Sequence, residues 1–187
     1  MKRIVIFASG SGTNAENIIK YFQKKNLAEV TLVLSNKIDA KVLDRAEKLS
    51  VPSESFTKSE FIDSDKIITI LRKESPDLIV LAGFLLKFPE FILKEFPNKV
   101  INIHPALLPK YGGKGMYGMN VHDAVIKDNE KISGITVHMV NNNYDEGRIV
   151  FQKSINLDKN ESATSLAVKI HNLEMKYFPE IITKYIS

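Results

Sequence analysis

Ile4-Val5-Ile6-Phe7-Ala8 runs directly into Ser9-Gly10-Ser11-Gly12-Thr13-Asn14, and Ile18, Ile19 and Phe22 then recur at helical spacing. A short, β-branched apolar run ending at glycines reads as a buried strand, and the spacing after it predicts a helix over 15–25. The small residues between them let the backbone turn sharply. The first N–H groups of the helix then face an anion at the positive end of the helix dipole. Ser11, Thr13 and Asn14 add side-chain donors. Gly10-x-Gly12-x-x-Ala15 formally matches a dinucleotide fingerprint. That fingerprint expects an acid at the end of the second strand to hold a ribose, but here the strand ends Leu34-Ser35-Asn36-Lys37. A terminal phosphate monoester fits the loop better than a dinucleotide, and a purely structural tight turn is the remaining reading.

The alternation continues outward. Apolar runs predict strands over 30–34, 78–81 and 100–103, with a short extended piece from Val51 to about Phe56. Helical spacing predicts helices over 39–49, 65–74 and 88–96, with Pro76 ending the second of these. Continuously apolar strands alternating with amphipathic helices signal a parallel sheet covered on both faces. After residue 103 the pattern changes. Tyr111 to Met119 is glycine-rich and irregular, a helix is predicted over 120–127, and an alternating strand over 132–140 has a partner over 148–155. The last stripe, from Ala163 to Tyr185, predicts a helix in which Pro179 should make a kink or break. The expected class is α/β and Rossmann-like: a mostly parallel central sheet flanked by helices, with an antiparallel edge. With no repeat, linker or low-complexity tract, residues 1–187 are expected to form one domain.

The composition narrows the chemistry. The chain has 187 residues, 26 Lys+Arg against 22 Asp+Glu, and no Cys. Disulfides, thiolate metal sites and cysteine nucleophiles are excluded. The basic residues are scattered in runs no longer than two, which is not the stripe of a nucleic-acid binder. No run approaches the roughly 18 apolar residues of a membrane span. The amino-terminal apolar run is shorter than the about 7–15 residues of a signal peptide's core. The expectation is a cytoplasmic protein with small-molecule partners, no nucleic acid and no membrane.

Asn102-Ile103-His104-Pro105-Ala106-Leu107-Leu108-Pro109 sits at the carboxyl end of a predicted parallel strand, the edge where open α/β sheets bind ligands. Asn102 and His104 are two apart and share one face of the extended chain. An amide that donates to an oxyanion beside an imidazole that transfers a proton near neutral pH suits chemistry on a carbonyl. A hydrogen-bonded Asn and a buried His that only shape the loop are the alternative. His104, His122, His138 and His171 are not spaced as a compact metal set, so no metal is expected.

With these residues the chain resembles the folate-dependent formyltransferases, and more closely those acting on a phosphoribosyl glycinamide. The resemblance runs from Arg3 to about Tyr185. It rests on Ser9-Gly10-x-Gly12-Thr13-Asn14, Ser35-Asn36-Lys37, Leu81-Ala82-Gly83-Phe84, Asn102-x-His104-Pro105-x-Leu107-Leu108-Pro109, Gly134-x-Thr136-Val137-His138 and Asp145-x-Gly147. It implies a single formyltransferase domain, with a phosphate-binding half over about 1–100 and a catalytic and folate-binding half over about 101–187. The implied reaction moves a formyl group from 10-formyltetrahydrofolate, as co-substrate, to the glycyl amine, in a monomer or homodimer without a metal. By position, Asn102, His104 and Asp145 match the catalytic trio, and Gly12, Thr13 and Asn14 match the substrate-phosphate loop. Glu174 matches an acid on the ribose hydroxyls, and His171, one helical turn before it, is placed to line the same sugar. Leu85, Leu86, Lys87 and Phe88 match a segment lining the folate pocket. Asn102 and a loop carrying Val140, Asn141 and Asp145 close on the pterin.

Two positions depart from that pattern. A basic residue commonly follows the position of Leu85, where this chain has Leu86 and then Lys87, and Asp-x-Gly-Pro becomes Asp145-Glu146-Gly147-Arg148. The glycines of Tyr111-Gly112-Gly113-Lys114-Gly115-Met116-Tyr117-Gly118 also suggest a mobile loop near the substrate, with Lys114 placed to meet an anion.

Formyl transfer passes through a tetrahedral carbon bearing an oxyanion, and one donor to such an oxyanion is worth roughly 3–4 kcal/mol. Asn102 and a protonated His104 are expected on that oxygen. Asp145 is expected to keep His104 charged by raising its pKa. His138, on the alternating strand, is expected either to support these groups from behind or to be structural. His122 and His171 read as surface or edge positions. Other formyl-folate enzymes acting on methionyl-tRNA, on an amino sugar nucleotide or as formylfolate hydrolases carry an additional domain for which this length leaves no room. A non-catalytic nucleotide-binding module would be expected to lack one of the trio.

Overall fold

The computed structural model describes residues 1–63 and 65–187. Among them, β1 (Lys2–Phe7), β2 (Ala28–Ser35), β3 (Ser53–Ser55), β4 (Leu78–Leu81), β5 (Val100–His104), β6 (Ile132–Met139) and β7 (Ile149–Asn156) form one sheet in the order β3-β2-β1-β4-β5-β6-β7. The first five strands are parallel, and β6 and β7 add an antiparallel edge. The helices are α1 (Thr13–Lys25), α2 (Lys41–Lys48), α3 (Lys58–Ile62), α4 (Lys66–Glu74), α5 (Glu90–Glu95), α6 (Met119–Lys127) and α7 (Ala163–Ile186). The expected α/β class with its antiparallel edge is the observed one.

Side chains alternate between two cores, as the period of a strand requires. Ile4 and Ile6 of β1, Ile101 and Ile103 of β5, and Ile135 and Val137 of β6 face Ile18 and Phe22 of α1 and Leu166, Ile170 and Phe178 of α7. On the opposite face, Val5, Phe7, Ile79 and Leu81 meet Phe61, Ile67, Leu71 and Ile92. Each such side chain, fully buried, contributes about 1.5–3 kcal/mol. The second core is aromatic at its upper end. The rings of Phe84 and Phe88 each lie 5.3 Å from that of Phe7, edge to face.

From β1 the chain runs outward to β2 and β3, then returns to place β4 on the other flank of β1. The carboxyl ends of β1 and β4 therefore splay apart at a topological switch point, where a crevice opens for a ligand. Ser9 spans this gap. Its N–H donates to Gly83 O at 3.0 Å, its hydroxyl donates to Asn36 Oδ1 at 2.6 Å, and Leu85 N–H donates back to the same hydroxyl at 2.9 Å.

Two expectations change. α3 was not foreseen, although Thr57 and Glu60 carry its capping box: Glu60 N donates to Thr57 Oγ1 and Thr57 N to Glu60 Oε2. α7 does not break at Pro179 but is a continuous helix from Ala163 to Ile186. Proline removes the N–H that would meet the carbonyl of Met175 four residues earlier. Asn17 of α1 supplies a substitute, its Nδ2 donating to Met175 O at 2.7 Å. Among the described residues, no helix is long and apolar enough to cross a membrane.

Candidate active site

A cavity of about 620 Å³ opens above the carboxyl ends of β1, β4 and β5, between α1, α6 and α7. Its floor at one end is the glycine loop. Gly12 adopts φ +73° at the start of α1, and a Cβ there would lie 2.5 Å from Val42 of α2. Only glycine satisfies both the left-handed backbone and that packing. No side chain caps α1, so its first N–H groups face the cavity beside Thr13 and Asn14. Outside the loop, Arg45 donates through Nε to Ser11 O at 2.7 Å and pairs with Glu16, bracing the turn from α2.

The other end is built on β5 and β6. Antiparallel register sets Asn102 opposite His138 and His104 opposite Thr136. Asn102 Nδ2 lies 3.1 Å from His138 Nε2, and His138 Nδ1 donates to Met139 O at 2.8 Å. The Nδ1 bond fixes the ring of His138, so that its Nε2 faces both the Asn102 amide and Asp145. Thr136 shapes the loop after His104, accepting from Leu108 N at 3.0 Å and donating to Ala106 O at 2.7 Å.

Asp145 enters from the loop between β6 and β7 in a left-handed conformation, φ +57°. Its Oδ2 accepts from Gly113 N at 2.9 Å and lies 3.6 Å from His104 Nδ1, while Oδ1 lies 3.4 Å from His138 Nε2. Gly147 permits this entry: a Cβ there would land on the carbonyl of Met139. His104 is only 3% exposed and its Nε2 donates to Tyr111 O at 2.7 Å.

The protonation states differ from the sequence expectation. Burial pushes the His104 imidazole down, and this outweighs the upward pull of Asp145 and of the Tyr111 carbonyl. His104 is therefore held below the ordinary imidazole range, not kept charged by Asp145. Burial pushes the Asp145 carboxyl up, but His138, His104 and the Gly113 N–H together hold it below the usual carboxylate range.

Between the two ends, α7 presents Glu174. Its Oε2 accepts from Asn14 Nδ2 at 2.8 Å and lies 3.6 Å from His171 Nδ1. The adjacent carboxylate raises the His171 pKa. His122 of α6 is the second correction. It is not at the surface but 6% exposed, in the cavity wall, and burial lowers its pKa against the pull of Glu174 and Asp123. Its spacing from Val121 and Val125 on the buried stripe of α6 was the available signal.

These shifts carry a pH dependence. Where folded His104 and His122 have depressed pKa values, the unfolded chain binds more protons below about pH 6.5. Their contribution is complete above that pH and is lost as the pH falls toward the folded values. His171, raised and partly exposed, acts in the opposite sense and is screened by solvent. The Tm is expected to fall between about pH 7.5 and about pH 5.5, and the profile of His122→Phe should be shallower. Parallel thermal-melt profiles for the two proteins would refute this.

The cavity brings together Asn102, His104, Asp145, Gly12, Thr13, Asn14, His171 and Glu174. His138 stands directly behind Asn102 and Asp145. Of the residues matched to a folate pocket, Leu85, Asn102 and Asp145 line it. The others do not. Phe88 is buried in the aromatic core, Leu86 and Val140 pack against that core, and Lys87 and Asn141 point to solvent. Tyr144 lines the cavity instead, as do Lys114 and its neighbours in the glycine-rich segment. Arg148 keeps its side chain in solvent, and its carbonyl accepts from Met139 N at 2.9 Å. Among the described residues, no cluster of three His, Cys, Asp or Glu side chains is arranged to hold a metal ion.

The profile of the family described as formyl transferase matches residues 2–182. A phosphoribosylglycinamide formyltransferase of Bacillus subtilis is 35% identical over 97% of this chain and 93% of its own length. The chloroplastic phosphoribosylglycinamide formyltransferase of Arabidopsis thaliana is also 35% identical over 97% of this chain. The chain spans 64% of that plant relative and 60% of its counterpart in Vigna unguiculata. Among solved structures, the phosphoribosylglycinamide formyltransferase of Anaplasma phagocytophilum superposes with a TM-score of 0.90 at 31% identity, covering 99% of this chain and 86% of that one.

Proposed function

This chain belongs to the formyl transferase family, and from that premise we propose that it moves a formyl group from 10-formyltetrahydrofolate to the amine of 5-phosphoribosylglycinamide, a step of purine biosynthesis. The observation that carries the reading is one cavity joining an uncapped, glycine-opened helix N-terminus to an amide, an imidazole and a carboxylate. The first suits a phosphate monoester and the second suits a carbonyl under attack. We assign the phosphate to Gly12, Thr13 and Asn14. We place the folate against Leu85, Tyr144 and Asn102, where apolar and aromatic surface meets the catalytic groups. The folate supplies the formyl carbon as the electrophile.

The residues divide the proton traffic. The substrate amine arrives as an ammonium, and neutral His104 takes one of its protons at Nδ1, the nitrogen facing Asp145. Its Nε2–H is already committed to Tyr111 O. The freed nitrogen pair attacks the formyl carbon while the carbonyl pair moves to oxygen. Asn102 and the imidazolium hold that oxyanion. Asp145, ionised, takes the second amine proton through water and later releases it to solvent. His104 then returns its proton to the departing folate nitrogen, so the site ends as it began. We place the division of labour along the chain, the phosphate end in residues 1–100 and the catalytic groups in 101–187, within one domain acting as a monomer or homodimer. A cysteine-free chain suits a reducing compartment such as the cytoplasm.

The test is a folate-absorbance assay with 10-formyltetrahydrofolate and phosphoribosyl glycinamide. Turnover requiring both substrates is expected. No turnover by the wild-type protein would overturn the assignment.

A further inference from the structure

Tyr111 combines three features. Its backbone is left-handed, φ +58°, a conformation that a residue with a Cβ rarely adopts unless its surroundings hold it there. Its ring packs against the core on the α1 and α7 side of the sheet. Its hydroxyl reaches the turn between α6 and β6, where Asp128 Oδ2 at 2.8 Å and Glu130 Oε1 at 2.9 Å are placed to accept its proton. Burial and these two carboxylates push the phenol up, so the hydroxyl stays a donor. That turn is a firm anchor. Asp128 N donates to Ala124 O at 3.0 Å, Glu130 N to Val125 O at 3.3 Å, and Lys110 Nζ to Glu130 Oε1 at 2.7 Å.

The anchored segment meets the catalytic groups with its backbone. Tyr111 O accepts from His104 Nε2 at 2.7 Å, and Gly113 N donates to Asp145 Oδ2 at 2.9 Å. Between them, a Cβ at Gly112 would lie 2.7 Å from Leu108 Cδ2 and 3.1 Å from Asp145 Cβ, so the segment lies flush against the pair it serves. Three consecutive residues thus hold both His104 and Asp145. Distance decides which imidazole nitrogen keeps the proton. The carbonyl at 2.7 Å makes a full hydrogen bond to Nε2, whereas Asp145 Oδ2, 3.6 Å from Nδ1, is beyond one. A neutral imidazole has a single N–H, and the bond made by one nitrogen sets the state of the other. Were the carbonyl to drift, the negative Asp145 would draw the proton to Nδ1. That nitrogen would then have no free pair for the substrate ammonium, and the pair left on Nε2 would face the loop backbone.

We infer that Tyr111 is a positioning residue for formyl transfer: its hydroxyl, tied to Asp128 and Glu130, holds the carbonyl that keeps the proton of His104 on Nε2 and leaves Nδ1 free as the base. The inference rests on the formyl-transfer reading for its catalytic consequence, but the hold on His104 is measurable without substrate.

The test uses Tyr111→Phe, which keeps the ring in the core and removes only the hydroxyl, and the double variant Asp128→Ala/Glu130→Ala, which removes both acceptors. Long-range proton–nitrogen NMR spectra of the imidazoles at about pH 8, where histidines are neutral, report the tautomer. The His104 signals are those absent from His104→Ala. The wild type is expected to carry the proton on Nε2, and both variants to show a larger share on Nδ1. The kcat should fall about tenfold in each, with KM for both substrates within about twofold, because the base is misplaced while the binding surfaces are untouched. Combining the changes should lower kcat no further, since they cut the same link. The Tm of Tyr111→Phe should fall by no more than about 5 °C, the worth of one hydrogen bond. A wild-type proton on Nδ1, a His104 tautomer unmoved by Tyr111→Phe, or a Tyr111→Phe kcat within about twofold of the wild type would overturn the inference. A wild type that shows the tautomer response but no turnover would overturn the formyl-transfer reading and leave the hold of Tyr111 on His104 standing.

Discussion

His104→Ala is expected to lower kcat by about 10³-fold or more, with KM for either substrate changed far less. The imidazole performs two steps on the route proposed above: it takes the ammonium proton at Nδ1, and as imidazolium it faces the oxyanion and then protonates the leaving nitrogen. Proton transfer by a positioned group contributes about 10²–10⁴-fold and a single oxyanion donor about 10²–10³-fold, with overlap because one ring does both. Truncation also strands the Tyr111 carbonyl. Added imidazole, which fits the space vacated, should restore part of the rate. Steady-state kinetics decide the matter: a kcat within tenfold of the wild type would remove His104 from the chemistry.

Gly147→Ala carries the largest expected effect on the fold. A methyl group at this position collides with the backbone carbonyl of Met139 and approaches His138 Nδ1 at 3.6 Å. A backbone carbonyl within a strand cannot rotate aside as a side chain would. The β6–β7 pairing must open near His138, where the register already shifts between Val137 and His138. A loss of about 2–4 kcal/mol is expected from urea denaturation. Activity should fall with it, because Asp145 is two residues away and held by contacts to His104, His138 and Gly113. A change under about 0.5 kcal/mol would show that the strand pair yields more readily than its geometry implies.

The site was legible in proportion to how locally its residues are specified. Asn102, His104 and His138 lie on alternating strands, so a period of two places them on one face, and antiparallel pairing does the rest. The glycine loop was legible because a strand, a sharp turn and a helix follow within a few residues. Asp145 sits in an irregular loop at φ +57°, and no periodicity points to it; only the resemblance did. The direction of Phe88 is set by Phe7 and Phe61 from other elements, which draw it into the aromatic core, and no local pattern in the sequence reports that packing. The sign of the His104 shift escaped for a related reason. A neighbouring carboxylate can be named from a motif, whereas the depth of burial that outweighs it belongs to the assembled protein. The continuity of α7 through Pro179 needed Asn17, 158 residues from the carbonyl it serves.

The two links from α1 to α7, Asn14 to Glu174 and Asn17 to Met175, also order events on the ribosome. β1, α1 and β2 leave the exit tunnel early and can pair locally. The polar wall beside the glycine loop cannot exist until α7 has emerged and docked, because Glu174 is 160 residues downstream of Asn14. Loop closure over that distance comes late and slowly. A nascent chain therefore carries the glycine turn long before α7 supplies the Glu174 wall beside it.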